Sequence, residues 1–219
     1  MRSGFFRRSV IAAAGLLLGS LWSVPTASAQ TSCVTDPVGD ASAATPASGP
    51  LEYQDIVEAC VTLKDGRFIF VMDVAAPLPN SPELPFGAKL LEWSFRLRTD
   101  LTTCASGFPY PPGKSTTSPE LTHCAQYHVF ILWDGTGFTG MFIDRTATST
   151  GGEVVITPVS FNIKGAEIIA SVDAVLVGNA QSFRWISRTE TWFSELGTLG
   201  YLVIDAAPEE GTSANWPNN

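Results

Sequence analysis

The chain is short of basic residues and nearly without histidine. Its 219 residues carry 13 Lys and Arg against 21 Asp and Glu, with two histidines, His123 and His128. An acidic surface repels phosphate backbones, and no basic patch with interleaved aromatics offsets it, which argues against nucleic acid as a partner. No Gly-x-Ser-x-Gly elbow, Gly-rich phosphate loop or His-Glu-x-x-His motif occurs, so the common hydrolase, phosphate-loop and zinc-protease signatures are missing. The two histidines lie five apart on an extended segment and point to opposite faces, poorly placed to share a metal; each is expected on a solvated edge. Neither a Cys-x-x-Cys pair nor a Cys-x-x-Cys-His haem-attachment motif is present, which disfavours a thiolate metal site. With 21 acids some carboxylate pair is always available on paper, so pairing alone does not indicate a glycosidase. The chain reads as non-catalytic.

What is present begins with an export signal. Arg2, Arg7 and Arg8 precede the uncharged stretch from Ser9 to Trp22, and Ala27-Ser28-Ala29 forms a small-x-small cleavage site. Residues 1–29 therefore read as a cleavable leader, too short in its apolar run for the roughly 20 residues a membrane span needs. Arg7-Arg8-Ser9-Val10-Ile11 also resembles a twin-arginine signal, although Phe6 and Ala12 depart from it. Cys33 lacks the apolar residue three positions upstream that lipid attachment uses. The expected product is released, without membrane insertion. Removing the leader leaves 10 basic residues against 21 acidic ones, a net charge of −11. Cations are natural partners for such a surface.

Four cysteines remain after the leader: Cys33, Cys60, Cys104 and Cys124. An even count in an exported chain implies disulfides, and four cysteines permit three pairings. Cys104 and Cys124 bracket a Pro/Gly/Ser/Thr-rich insert, so a bond between them would staple that loop. Cys33 would then tie the N-terminal strand to the strand carrying Cys60.

Residues 30–219 suit one domain, and period-two alternation dominates them. Val57, Ala59, Val61 and Leu63 alternate with Ile56, Glu58, Cys60 and Thr62; Lys64-Asp65-Gly66-Arg67 supplies a hairpin turn, and Phe68, Phe70, Met72 and Val74 share one face of the return strand. Leu91, Trp93, Phe95 and Leu97 alternate with Glu92, Ser94, Arg96 and Arg98, the pattern of a half-buried strand. Tyr127 to Trp133 and Phe138 to Asp144 form a second hairpin around Asp134-Gly135-Thr136-Gly137. Further strands are expected at 154–157, 160–163, 167–172, 182–188 and 200–204, with a short helical turn at 173–176. The sum is an all-β chain, a two-sheet antiparallel sandwich of jelly-roll or immunoglobulin-like kind. Residues 41–50 and 101–122 read as surface loops, and the tail after Ala207 as frayed.

The chemistry concentrates in Asp36-Pro37-Val38-Gly39-Asp40, followed by Glu52 and Asp55. Several hard oxygen donors beside a glycine that permits a sharp turn suit calcium, which takes about 6–8 oxygens in flexible geometry. The same aspartates would also serve as Asx-turn formers at the mouth of the first strand. Sugar stacking would need exposed aromatics. Trp93, Trp133 and Trp185 sit in strands of alternating pattern and are expected in the core, whereas Trp192 and Trp216, with Phe108 and Tyr110 of the long loop, are the candidates for a platform.

The order Asp36-Pro37-Val38-Gly39-Asp40, Asp55-Ile56 opening a strand, the Lys64-Asp65-Gly66 hairpin, Trp133-Asp134-Gly135, Phe183-Arg184-Trp185 and Asp205-Ala206-Ala207-Pro208-Glu209 spans nearly the whole exported chain. It resembles the secreted bacterial β-sandwich domains related to DOMON and to carbohydrate-binding modules, in particular the C-terminal binding domain of glucodextranase-type enzymes. The resemblance implies bound calcium at Asp36, Asp40, Asp55 and Asp205, and a polysaccharide or cell-surface glycan as partner. Ala41 stands where a second Asp often follows, and Glu209 where Asp is usual. A haem-binding DOMON-type domain is the other implied class; Met72, Met141, His123 and His128 are its candidate axial ligands, although Met72, on an apolar strand face, is more simply read as core filler. A third alternative is an accessory protein to glycan-active hydrolases.

Overall fold

Alternating apolar residues give most strands a face to bury, and two antiparallel sheets result. The computed structural model describes residues 29–43, 49–99, 125–193, 200–209 and 212–218. Twelve strands are present among them: β1 (Gln30–Thr35), β2 (Ile56–Lys64), β3 (Arg67–Val74), β4 (Leu90–Arg98), β5 (Tyr127–Trp133), β6 (Phe138–Asp144), β7 (Val155–Pro158), β8 (Ser160–Lys164), β9 (Glu167–Asp173), β10 (Phe183–Trp192), β11 (Tyr201–Ala207) and β12 (Ala214–Trp216). One sheet has the order β1-β2-β3-β9-β8 and the other β11-β10-β4-β5-β6-β7, with β12 also pairing with β10. The leader, the 101–122 loop, Cys104, Cys124, Phe108, Tyr110 and His123 lie outside the described residues. Among the described residues no helix is long and apolar enough to cross a membrane.

Both expected hairpins form. Lys64 pairs with Arg67 across Asp65 and Gly66, which adopt φ of 51° and 74°, the left-handed region that a tight β-turn requires. Trp133 pairs with Phe138, and the Asp134 carboxylate accepts hydrogen bonds from the Thr136 and Gly137 amides to close the second turn. The short helical turn is a 3₁₀ turn over Ala174–Val177.

The interior is filled by the inward residues of both sheets. Phe68, Phe70 and Met72 of β3 meet Leu91, Trp93, Phe95 and Leu97 of β4, all 4% exposed or less. Trp133 and Trp185 belong to the same core. Cys33 and Cys60 sit opposite each other in the β1–β2 register and are joined by a disulfide.

Two expectations fail in instructive ways. The tail does not fray: β12 occupies the edge of β10 at Phe183–Trp185, while β11 takes that edge further along. Trp216 is 1% exposed and packs its ring against Phe183 and Phe68, with centroids 5.1 and 4.9 Å away. The Ser32 hydroxyl donates to the Asn215 carbonyl and thereby ties this tail to β1. An indole buries enough area to order a three-residue strand that propensity alone would leave loose. The second failure concerns β4. It was expected to be half-buried, yet every residue from Leu91 to Arg98 is buried, so the face turned away from the sandwich interior is also enclosed.

Candidate functional site

The expected calcium ligands converge at one end of the sandwich. Asp36 follows β1 directly, and its backbone amide bonds the Val57 carbonyl of β2 at 2.9 Å. The chain then turns through Gly39, whose φ of +90° disfavours any residue with a Cβ. The Gly39 amide donates to Asp55 Oδ2 at 2.7 Å, folding the Asp36–Asp40 loop onto the start of β2. Asp55 is held in turn by the 3₁₀ turn Glu52–Gln54, since its own amide bonds the Glu52 carbonyl. Asp205 arrives from β11 of the opposite sheet. Its carboxylate accepts the Ile56 amide at 2.6 Å and the Ala206 amide at 2.8 Å. The first of these bonds crosses from one sheet to the other.

Carboxylate oxygens of Asp40, Asp55 and Asp205 lie within 4.8 Å of one another, as do those of Asp36, Asp40 and Glu209. Asp36 and Asp205 are each 9% exposed and Asp55 4%. Asp36 Oδ2 and Asp55 Oδ1 are buried and accept no hydrogen bond. An unpaired buried polar atom costs about 1–3 kcal/mol, so folds retain such atoms where something else satisfies them. Burial first, then the neighbouring charges of Asp205, Asp40, Glu209 and Asp55, raises the Asp36 carboxyl to a pKa of about 7. Burial likewise raises Asp205 to about 6, against the opposing effect of its two amide donors. A cluster of hard oxygens, crowded and short of donors, fits calcium by its chemistry. Glu209 is the member that the sequence did not single out as a ligand: it lies 169 residues from Asp40 and departs from the family pattern, where Asp is usual. The remaining metal-like trio, Cys33, Glu58 and Cys60, has both its sulfurs committed to the disulfide.

A second polar assembly occupies the enclosed outer face of β4, β5 and β10. Arg96 and Arg188 both contact Glu190 Oε1, Arg188 at 3.3 Å. His128 Nε2 lies 2.9 Å from Glu92 Oε1, and Arg145 Nη2 lies 3.5 Å from His128 Nδ1. All five partners of this network other than Arg145 are 2% exposed or less, and Arg145 is 5% exposed. Because Arg145 can only donate, we assign His128 as neutral, with Nε2–H donating to Glu92. Burial, with Arg96 and Arg145 nearby, holds the His128 pKa well below its ordinary value. Burial raises both Glu92 and Glu190, opposed chiefly by Arg96.

This network corrects two expectations. His128 is not on a solvated edge; it is 0% exposed, because its charged neighbours satisfy both ring nitrogens. It faces away from Met72, which fills the sandwich interior. Trp192 is not an exposed platform either. It is 0% exposed, donates its indole N–H to Glu92 Oε2 at 3.1 Å, and lies against the Tyr201 ring. The sequence did carry a signal. Glu92, Ser94 and Arg96 pair in register with Glu190, Arg188 and Ile186, so acidic and basic side chains of the two strands gather on one outer face. Recognising this needs the register, which sequence alone does not supply.

A comparison with protein-family models finds no match to the chain, and a comparison with curated proteins finds none either. The candidate site therefore stands on its own residues.

Proposed function

We propose that the chain is an exported, non-catalytic β-sandwich module of the DOMON-like and carbohydrate-binding-module-like kind, with one end of the sandwich fixed by calcium. The observation that carries this reading is the pair of buried, unpartnered oxygens, Asp36 Oδ2 and Asp55 Oδ1, inside a convergent set of carboxylates. Asp36, Asp40, Asp55, Asp205 and Glu209 would hold the ion. The ion would supply positive charge where five carboxylates crowd together. Since the site joins the exit of β1 and the start of β2 to the end of β11, its filling would fasten one sheet to the other. The Cys33–Cys60 disulfide fits an oxidising compartment, as the leader does.

The polysaccharide partner rests on the family resemblance and on Phe108 and Tyr110 of the long loop; Trp192 no longer contributes. Affinity electrophoresis over a broad polysaccharide panel tests it, with retardation expected and its absence across the panel counting against it. The calcium reading is tested by metal analysis of protein exchanged into calcium buffer. Bound calcium is expected in the wild type and its loss in Asp40→Ala. Calcium-free wild-type protein would refute the reading.

A further inference from the structure

The carboxylate cluster has an internal division that one ion does not use. Asp40, Asp55 and Asp205 form one trio of mutually close oxygens, and Asp36, Asp40 and Glu209 form another, with Asp40 common to both. Each trio contains one of the two residues that carry a buried, unpartnered oxygen: Asp55 in the first and Asp36 in the second. The two also differ in how the backbone treats them. The inner trio receives three amide hydrogen bonds, from Gly39 to Asp55 and from Ile56 and Ala206 to Asp205. Among the described residues no amide or side chain donates to the carboxylates of Asp36, Asp40 or Glu209. The outer trio thus keeps more uncompensated charge, and only half of the cluster has been pre-organised by the chain.

We propose that the cluster binds two divalent cations, calcium in the exported setting, an inner ion on Asp40, Asp55 and Asp205 and an outer ion on Asp36, Asp40 and Glu209, with Asp40 bridging them. This rests on the calcium reading given above and extends it. Charge supports two ions over one: five ionised carboxylates with a single divalent cation leave an excess of three negative charges in a partly enclosed site, whereas two cations leave one. The inner ion is the tighter, because two of its ligands are buried and fixed by amide bonds. The outer is the weaker, because Asp40 and Glu209 are solvent-exposed and their side chains must be ordered on binding.

Equilibrium dialysis of the full exported chain against calcium chloride separates the cases. Wild-type protein is expected to bind two equivalents, with the second filling at higher concentration. Glu209→Gln, an exposed and conservative change, is expected to bind one equivalent with the tighter affinity retained, and its far-UV circular dichroism should match the wild type. Asp40→Asn is expected to weaken both ions. One equivalent in wild type and Glu209→Gln alike would overturn the two-ion proposal while leaving the calcium reading intact. Two equivalents in Glu209→Gln would overturn the outer ligand set. No bound calcium in any protein would refute the calcium reading itself.

Discussion

Removing the Cys33–Cys60 disulfide is the perturbation whose magnitude follows most directly from the structure. The bond joins residues 27 apart, cross-strand neighbours of β1 and β2. In the chain-entropy treatment, closing a loop of that length restricts the unfolded chain by an amount worth about 3.5 kcal/mol at 25 °C. For a domain of this size each kcal/mol moves the melting temperature by about 2–4 °C, so the Cys33→Ala, Cys60→Ala double variant should melt about 7–14 °C lower. The fold should survive. β1 keeps its six-residue register with β2, and Ser32 still bonds the tail. Differential scanning calorimetry is the assay, and substitution is preferred to reductant because reductant would also reach any bond between Cys104 and Cys124. The exit of β1 carries Asp36, so loosening β1 should also weaken calcium binding. A melting temperature within about 2 °C of the wild type would refute the reasoning, since it would mean that the bond does not restrict the unfolded chain by the amount supposed.

Three further outcomes follow from specific contacts. In chelator, burial raises the folded-state pKa of Asp36 to about 7 and that of Asp205 to about 6, above the ordinary aspartate value of 3.8. The folded state then binds more protons at these two groups than the unfolded one, so their contribution to stability is full below about pH 4 and is lost as pH rises through about 4 to 7; melting curves across that range should show this loss in chelator relative to saturating calcium. Trp216→Ala removes the ring that packs on Phe183 and Phe68 and should cost about 3–5 kcal/mol in denaturant unfolding, whereas a frayed tail would give almost no change. Glu190→Gln removes the charge that Arg96 and Arg188 share in a buried setting and should cost about 3–5 kcal/mol; an unchanged unfolding midpoint would show that the network does not depend on it.

Much of the fold was legible because period-two alternation reports burial directly. β5 and β6 begin and end at the expected residues, and the Lys64–Arg67 and Asp134–Gly137 turns are marked by residues that accept a left-handed or Asx-turn backbone. The cysteine reading was also sound for Cys33 and Cys60, since the register of β1 on β2 places them opposite each other. Four of the five clustered carboxylates were legible in the sequence: Asp36, Asp40 and Asp55 from the spacing of oxygen donors around Gly39, and Asp205 from the family resemblance. Glu209 escaped assignment because only the return of β11 to the β1–β2 corner brings it near Asp40. Alternation misled where both faces of a strand are enclosed. Glu92, Arg96, Arg188 and Glu190 look like solvated positions one by one, and only their mutual pairing makes burial tolerable. Trp192 was misread for the same reason, its partner Glu92 lying 100 residues away.

The central claim is that calcium fastens the Asp36–Asp40 loop to the ends of β2 and β11. Its most direct test compares melting of one protein preparation in excess chelator and after calcium is restored. At a free calcium concentration of about 100 times the dissociation constant, one site adds about 2.7 kcal/mol, or roughly 5–11 °C for a domain of this size. A rise of that order, reversed by chelator and lost in Asp55→Asn, is the predicted result. Superimposable melting curves with chelator and with millimolar calcium would contradict the account.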